Sequence, residues 1–380
     1  MEFPRTSLRC SVQIDLYALE RNLGRIRDFL PRSKSYIALV AANAFGIGME
    51  AAVARLMLSG ADAFAVANLS EAVRVRKVGP GWGVIVLSAS IPGEEDFFIE
   101  HDITPTLASL EEIERFEAAA KRLQKSLKVH MRLPSKPLET SIPDSNQALL
   151  MLEKLLDSEN LELEAFCLSG TGTGATEDAV ECDGDFLKKA AKILKAENKS
   201  VYIHHSDIFD PASVPDFFET SLRAGLVLFG IKPEKGSVLA GFEPEQVITF
   251  RSAVSHIKRL PKGAFVGYCK TYQLKRDSRI ALISVGYGDG LARSAGGTES
   301  VIVRDKLLPI IGIVSMDQAA IDATELPQIQ LSDEVIIIGH SQTQKISIED
   351  YCKHLKISAA EALTSITQRV TKFYAKGSNP

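Results

Sequence analysis

The sequence predicts an α/β protein with an N-terminal (β/α)8 TIM barrel and a C-terminal β domain. Through the first two thirds of the chain, short apolar runs alternate with amphipathic helical stretches, which is typical of parallel βαβ units. Beyond about residue 245, the apolar runs are separated by turn residues, without comparable helices between them. That pattern indicates an antiparallel β domain. About eight βα units before residue 240 would close a barrel.

The predicted barrel strands are short apolar runs, which cover residues 35–40, 63–67, 84–90, 127–133, 163–168 and 201–205. Apolar residues at helical spacing predict helices between them, at residues 49–59, 69–78 and 110–127. The later strands are predicted in VITFRSAVSHIKRL, RIALISVGY, SVIVRDKLLPIIGIVSM and DEVIIIGH, followed by helices at residues 347–355 and 358–369. We therefore expect a barrel over residues 11–240 and a β domain over residues 241–380, joined by residues 1–10.

The composition is that of a folded globular protein and argues against several functional classes. The 380 residues are 45% hydrophobic and 24% charged, with a net charge of -4, so the chain is not expected to be disordered. A pI of about 6.0 argues against nucleic acid as a partner. No apolar run is long enough to span a membrane, and the first twenty residues lack a signal-peptide core. Five scattered cysteines predict reduced thiols and a cytoplasmic location.

Two motifs in the predicted barrel are typical of a ligand site at its C-terminal mouth. In ALVAANAFGIG, residues 38–48, an apolar strand ends in small residues and glycines before a helix begins. In LRAGLVLFG, Arg223 stands just before Gly225, whose backbone could cradle a phosphate. The alternatives are a tight connecting turn for the first motif and a surface arginine for the second.

Two further motifs lie in the predicted β domain. SVGYGDGLAR places Tyr287 between glycines, which would let a substrate approach the phenol closely. In IVSMDQAAID, the Met316–Asp317 pair interrupts an apolar strand. A hairpin with a packed aromatic would explain the first motif, and a core methionine with a turn-capping aspartate the second.

The order and spacing of the four motifs resemble the alanine racemase family, in its two-domain, pyridoxal-phosphate-dependent form. Further stretches carry the same resemblance through almost the whole chain: IDLYALERNL, GADAFAVANLSEAVRVRK, GYCKTY, LSDEVIIIG and ITQRV. The resemblance implies a barrel with a β domain, pyridoxal phosphate as cofactor, and a head-to-tail homodimer whose active sites take residues from both chains.

Several family site residues are retained here, as the resemblance implies. Tyr287 matches the tyrosine base, and Arg223 matches the arginine that faces the pyridine nitrogen. Met316 matches a substrate-pocket residue. The positions that match contacts to the cofactor phosphate are Ser206, Gly225 and Leu226.

Other family site residues are replaced. The family motif V-K-A-N-A-Y-G-H-G is read here as VAANAFGIG, so the cofactor lysine is Ala41 and a phosphate-binding tyrosine is Phe45. The second phosphate-binding tyrosine is Ala360, and the arginine that assists the substrate carboxylate is Glu139. The family lysine that is often carbamylated is Arg132, a permanent cation.

These replacements predict a pseudoenzyme, because racemisation needs a base on each face of the α-carbon and only Tyr287 remains. Pyridoxal phosphate is then expected to be held without a covalent bond, or to be absent. One alternative is an active racemase or other pyridoxal phosphate enzyme that has recruited Lys270 or Lys136. Another is a binding module for a phosphorylated small molecule. No metal is expected, because the adjacent His204 and His205 point to opposite faces of a strand.

Overall fold

The computed structural model describes residues 9–29, 35–134, 142, 144–168, 184–207 and 214–375. The chain begins with strand β1 (Cys10–Asp15) and helix α1 (Leu16–Phe29). Eight parallel strands among the described residues then close a barrel: β2 (Tyr36–Leu39), β3 (Ala63–Val66), β4 (Gly83–Val86), β5 (Thr104–Leu107), β6 (Leu127–Arg132), β7 (Leu161–Cys167), β8 (Tyr202–Ser206) and β9 (Thr220–Ala224). The predicted (β/α)8 barrel is thereby confirmed.

Helices follow most barrel strands: α2 (Ala41–Phe45), α3 (Met49–Leu58), α4 (Leu69–Val78), α5 (Glu95–Glu100), α6 (Leu110–Leu123), α7 (Ser145–Leu156) and α8 (Gly184–Ala196). Three of them begin where a polar side chain accepts hydrogen bonds from the first-turn N–H groups. Asn68 caps α4, Ser109 caps α6 and Asp144 caps α7. Such caps satisfy N–H groups that have no partner inside the helix.

Strands β5 and β9 are missing from the predicted strands, and the sequence of β5 explains its absence. Its four residues are TPTL, and Pro105 has no N–H to donate to a ladder, so sequence rules count against a strand there. Burial overrides this local preference, because all four residues are buried and Pro105 pairs with Val86 of β4.

The β domain contains β10 (Ile248–Leu260), β11 (Phe265–Val266), β12 (Tyr272–Gln273), β13 (Ser278–Ile283), β14 (Ser300–Val303), β15 (Lys306–Ile311), β16 (Ala319–Asp322), β17 (Glu334–His340), β18 (Lys345–Ile346), α9 (Ile348–Leu355), α10 (Ala359–Thr364) and β19 (Thr371–Ala375). Its main sheet, in the described chain, has the order β18-β17-β14-β15-β16-β13-β10-β1-β19. The pairs are antiparallel except β1 with β19. The predicted domain boundary at residue 11 falls inside β1, and the barrel strands begin only at Tyr36.

The end of the chain differs from the prediction of one helix over residues 358–369. Helix α10 stops at Thr364, and the following turn leads into β19. Strand β19 lies along β1 and contacts the barrel, where Tyr374 donates a hydrogen bond to the carbonyl of Ile47 at 3.0 Å. This long-range contact is one that a local helix pattern does not reveal.

The barrel interior is divided into an apolar and a polar side. On β2, β3 and β4, the side chains of Ile37, Ala65 and Ile85 form a small apolar cluster. The opposite strands contribute buried polar side chains: Thr104, Thr106, His130, Arg132, His204, Ser221 and Arg223. No described helix is long and apolar enough to cross a membrane. The four described cysteines are free thiols.

Candidate functional site

Most of the barrel residues predicted for the site meet at the C-terminal ends of the barrel strands, which we call the barrel mouth. Ala41 follows β2 and Ser206 ends β8. Arg223 is the second-to-last residue of β9, two residues before Gly225. Ser206 and Arg223 are paired across their two strands. Because barrel enzymes place their sites at this end, the mouth is the candidate functional site.

The segment from Ala41 to Phe45 is a left-handed turn and not an ordinary helix. Four consecutive non-glycine residues, from Ala42 to Phe45, have φ values of 53°, 58°, 54° and 51°. A left-handed helical conformation costs roughly 1–2 kcal/mol per L-residue, so neighbouring contacts must hold the turn. Strain of this kind is concentrated at functional sites.

A polar network supplies those contacts through Asn43. Its backbone N–H donates to Glu71 Oε1 at 3.0 Å, and its side-chain oxygen accepts from Arg74 at 2.8 Å. The same oxygen accepts from the N–H of Met49, the first residue of α3, at 3.1 Å. Arg74 is paired in turn with Glu50 at 2.8 Å. The turn is thus fixed to α3 and α4.

Ala41 presents only a methyl group at the mouth, and Lys270, the one described lysine of the two predicted replacements, lies in the β domain. Lys270 lies in an exposed turn of the β domain, with its ammonium 5.9 Å from the centre of the Phe265 ring. Lys372 of β19 contacts the mouth turn from outside, donating to the carbonyl of Gly46. Burial lowers the pKa of Lys372. Lys136 lies outside the described residues.

Three groups at the mouth are suited to an anion. The hydroxyl of Ser206 is buried without a hydrogen-bond partner among the described residues. The N–H groups of Gly225 and Leu226 likewise have no acceptor in the described chain, while their carbonyls accept from Leu228 and Phe229 at 2.8 and 3.0 Å. Successive free N–H groups at a turn make an anion-binding concavity. This set is the anion cradle.

The anion cradle has an apolar wall. Phe45 is buried, with its ring centre 5.1 Å from that of Phe229. A Cβ on Gly225 would lie 2.8 Å from the Phe45 ring, so the backbone there needs a glycine. Helix α10 packs on the same turn, because a Cβ on Gly46 would lie 2.6 Å from the carbonyl oxygen of Leu363. Neither Phe45 nor Ala360 of α10 offers a hydroxyl.

Arg223 is buried at the mouth and hydrogen-bonded to neutral groups. Its guanidinium donates to His204 Nδ1 at 2.7 Å, to the Leu168 carbonyl at 3.1 Å and to Cys167 Sγ at 3.4 Å. None of these three is a carboxylate, so the positive charge is available to a ligand. Arg132, at the end of β6, is also buried and donates to the Leu87 carbonyl.

Two histidines and a carboxylate continue from Arg223 into the barrel, and sequence analysis did not identify them as functional. His204 Nε2 lies 3.0 Å from His130 Nδ1, and His130 Nε2 lies 3.2 Å from Glu164. Burial lowers the pKa of His130, and it lowers that of His204 further. The hydrogen bond from His130 holds the pKa of Glu164 at about 2. In the β6 sequence LKVHMR, polar residues alternate with apolar ones. This alternation is the sequence feature that indicates an inward-facing His130. No metal-binding cluster occurs among the described residues.

Tyr287 and Met316 lie close together in the β domain. The N–H of Tyr287 donates to the Ser315 carbonyl at 3.0 Å, and that of Gly288 donates to the Met316 carbonyl at 2.9 Å. Both side chains are about half exposed, Tyr287 at 47% and Met316 at 51%. Tyr287 and Arg293 line the same cavity. Glu139, another predicted site residue, lies outside the described residues.

Comparison with known proteins places both domains in one family. A model described as "Alanine racemase, N-terminal domain" matches residues 14–233, and "Alanine racemase, C-terminal domain" matches residues 247–374. Alanine racemase of Clostridium novyi (strain NT) is 30% identical over 386 residues, spanning 96% of this chain and 95% of that protein. Alanine racemase 1 of Caldanaerobacter subterraneus subsp. tengcongensis is 28% identical, spanning 96% and 94%.

Solved structures agree with this assignment. Alanine racemase from Bacillus anthracis, with bound L-Ala-P, has a TM-score of 0.80 at 26% identity, covering 99% of this chain and 96% of its own. Alanine racemase from Bartonella henselae, with covalently bound pyridoxal phosphate, has a TM-score of 0.83 and covers 97% of this chain and 100% of its own. Its 23% identity shows a shared fold. The chain belongs to the alanine racemase family.

Proposed function

We propose that this protein is a pseudoenzyme of the alanine racemase family, which binds a phosphorylated small molecule at the barrel mouth without racemising alanine. The observation that carries the proposal is Ala41. It occupies the position where the family motif has its cofactor lysine, directly before the strained turn of residues 42–45. The barrel mouth therefore has an ordered turn but no amine at this position.

The loss of the lysine removes one of two bases. Racemisation takes a proton from one face of the α-carbon and returns a proton to the other. Tyr287 retains a phenol for one face, and the methyl group of Ala41 has no proton-transfer chemistry for the other. Losing a positioned general base typically costs about 10²–10⁴-fold in rate, and the covalent anchor for the cofactor is lost as well.

The described residues fit one part of pyridoxal phosphate and not another. The anion cradle, with the unpartnered hydroxyl of Ser206, suits a phosphate, and the guanidinium of Arg223 suits an electron-rich ring nitrogen or a second anionic group. Ala41 does not fit the covalent attachment. Phe45 and Ala360 supply no hydroxyl to the phosphate, and each missing hydrogen bond to a charged group is worth about 1.5–3 kcal/mol. Binding without a covalent bond is therefore expected to be weak.

We also propose that the protein is a homodimer. The half-exposed Tyr287 and Met316 would then lie over the barrel mouth of the partner subunit, so that each site would be completed by the second chain. Sedimentation at micromolar concentration is expected to show a dimer, and a monomer alone would count against this arrangement.

Borohydride reduction in the presence of pyridoxal phosphate, followed by peptide mass spectrometry, tests the loss of covalent chemistry. We expect only low-yield labelling of surface lysines, with Ala41→Lys as the positive control for an amine at the mouth. A stoichiometric adduct on Lys270, Lys136 or Lys372 would overturn the proposal and favour an active enzyme with a recruited lysine.

Calorimetric titration with pyridoxal phosphate tests the binding half of the proposal. Ser206→Ala is expected to weaken binding, whereas Ser255→Ala is the matched control, because Ser255 is exposed in the β domain and bonds to the Leu282 carbonyl. Equal affinities for the two variants, or no binding by the unmodified protein, would contradict a phosphate site at the anion cradle.

A further inference from the structure

Four side chains form one continuous hydrogen-bonded line across the barrel interior. Arg223 at the mouth bonds to His204, His204 to His130, and His130 to Glu164, over distances of 2.7, 3.0 and 3.2 Å. The two imidazoles have no measurable exposure, whereas the Glu164 side chain is 29% exposed and is paired with Lys128 at 2.6 Å. The line thus leads from the ligand end of the barrel to an ion pair at the surface.

The direction of every bond in this line is fixed by its first member. An arginine guanidinium has only donors, so His204 Nδ1 must accept, and its Nε2 carries the proton. That Nε2–H donates to His130 Nδ1, so His130 also carries its proton on Nε2 and donates it to Glu164. Both histidines are then neutral, which agrees with pKa values lowered by burial.

Other polar groups surround the line without interrupting it. The hydroxyl of Tyr202 is 3.5 Å from His130 Nε2, and Cys167 Sγ is 3.4 Å from the Arg223 guanidinium. The positive charges of Arg132, Arg223 and Lys128 oppose protonation of one or both imidazoles. Glu164 is the carboxylate at the far end of the line.

We propose that His204, His130 and Glu164 are positioning residues that orient Arg223 towards the barrel mouth and leave its charge free for an anionic or electron-rich ligand group. A carboxylate bonded directly to Arg223 would neutralise the guanidinium beside the ligand. In this protein, two neutral imidazoles lie between Arg223 and the Glu164 carboxylate. They fix the geometry of the arginine and keep the carboxylate out of direct contact with it. The ligand-affinity part of this inference rests on the proposed function, and the hydrogen-bond line itself does not.

Nitrogen-15 NMR of the imidazoles in the full-length protein tests the line without any ligand. Near pH 7, both His130 and His204 are expected to be neutral and protonated on Nε2. A charged imidazole, or an Nδ1–H form of either histidine, would overturn the proposal, whether or not the protein binds a phosphorylated compound.

Glu164→Leu removes the last acceptor and tests whether the line positions Arg223. We expect the His130 Nε2–H to lose its hydrogen bond, which is seen as a changed Nε2 chemical shift, and the affinity for pyridoxal phosphate to fall about tenfold, which corresponds to about 1.4 kcal/mol. The matched control is Glu162→Leu, an exposed glutamate of the same strand, which should change neither. Glu164→Gln keeps an acceptor oxygen and should retain the tautomer and most of the affinity.

The remaining outcomes also decide the proposal. An unchanged His130 Nε2 chemical shift together with an unchanged affinity in a folded Glu164→Leu variant would show that the line does not position Arg223. If that variant fails to fold, Glu164→Gln decides the question, and an Nδ1–H form of either histidine in it would contradict the proposal. If the unmodified protein does not bind pyridoxal phosphate, the proposed function is wrong, and the tautomer measurement still tests the line.

Discussion

Gly225→Ala is the substitution whose effect follows most directly from the geometry of the mouth. Its added Cβ would lie 2.8 Å from Phe45 Cε2 and 3.0 Å from the carbonyl oxygen of Leu39, where carbon contacts normally lie at about 3.5–4.0 Å. Overpacking of this kind costs about 1–3 kcal/mol. We therefore expect a lower free energy of unfolding and a weaker anion cradle.

Chemical denaturation gives the change in stability, and titration with pyridoxal phosphate gives the change in binding. Gly236→Ala is the matched control, since nothing lies within 4 Å of its added Cβ. In the double variant Gly225→Ala/Phe45→Leu, the loss should be smaller than the sum of the single losses, because the shorter side chain relieves one clash. If Gly225→Ala is as stable as the unmodified protein, the packing of Phe45 on Gly225 is not as described.

Three further outcomes are expected. Asn43→Ala should destabilise the protein by about 1–3 kcal/mol in chemical denaturation, because the Arg74 guanidinium and the N–H of Met49 lose their partly buried acceptor, the Asn43 side-chain oxygen; an unchanged midpoint would contradict this. Because His130 and His204 have folded-state pKa values below 6.5, their stabilising contribution is complete above pH 6.5 and falls as the pH decreases, by at most about 1.4 kcal/mol per pH unit for each group. Melting curves between about pH 7 and pH 5 should show this slope, and Glu164, with its pKa of about 2, should extend the loss to lower pH. Phe45→Tyr should strengthen the binding of pyridoxal phosphate about tenfold or more, since it restores a hydrogen bond to a charged group; equal titration curves would argue against a phosphate beside Phe45.

The sequence predicted the fold well where periodicity was strong. Alternating apolar strands and amphipathic helices identified the barrel, and the change of pattern identified the β domain. Strand β5 was missed because Pro105 argues locally against a strand, and β19 because its stability comes from pairing with β1, far away in the chain.

The site was predicted in part, for a physical reason. Motif order located Ala41, Ser206 and Arg223, because family turns keep their spacing. The line through His130 to Glu164 was not predicted, because its hydrogen bonds depend on barrel closure, and the local alternation around His130 does not identify its partners. The left-handed turn at residues 42–45 was not predicted either, because none of its four residues is a glycine, the residue type that usually indicates positive φ.

Alanine racemisation by the purified, unmodified protein with added pyridoxal phosphate is the most direct test of the pseudoenzyme proposal. We expect no detectable turnover. Ala41→Lys alone should not restore activity, because Phe45, Ala360 and Glu139 remain unlike their family counterparts. The fourfold variant Ala41→Lys, Phe45→Tyr, Glu139→Arg and Ala360→Tyr should recover more cofactor binding than any single change. Robust turnover by the unmodified protein would contradict the proposal outright, and robust turnover by Ala41→Lys would show that the lysine is its only catalytic defect.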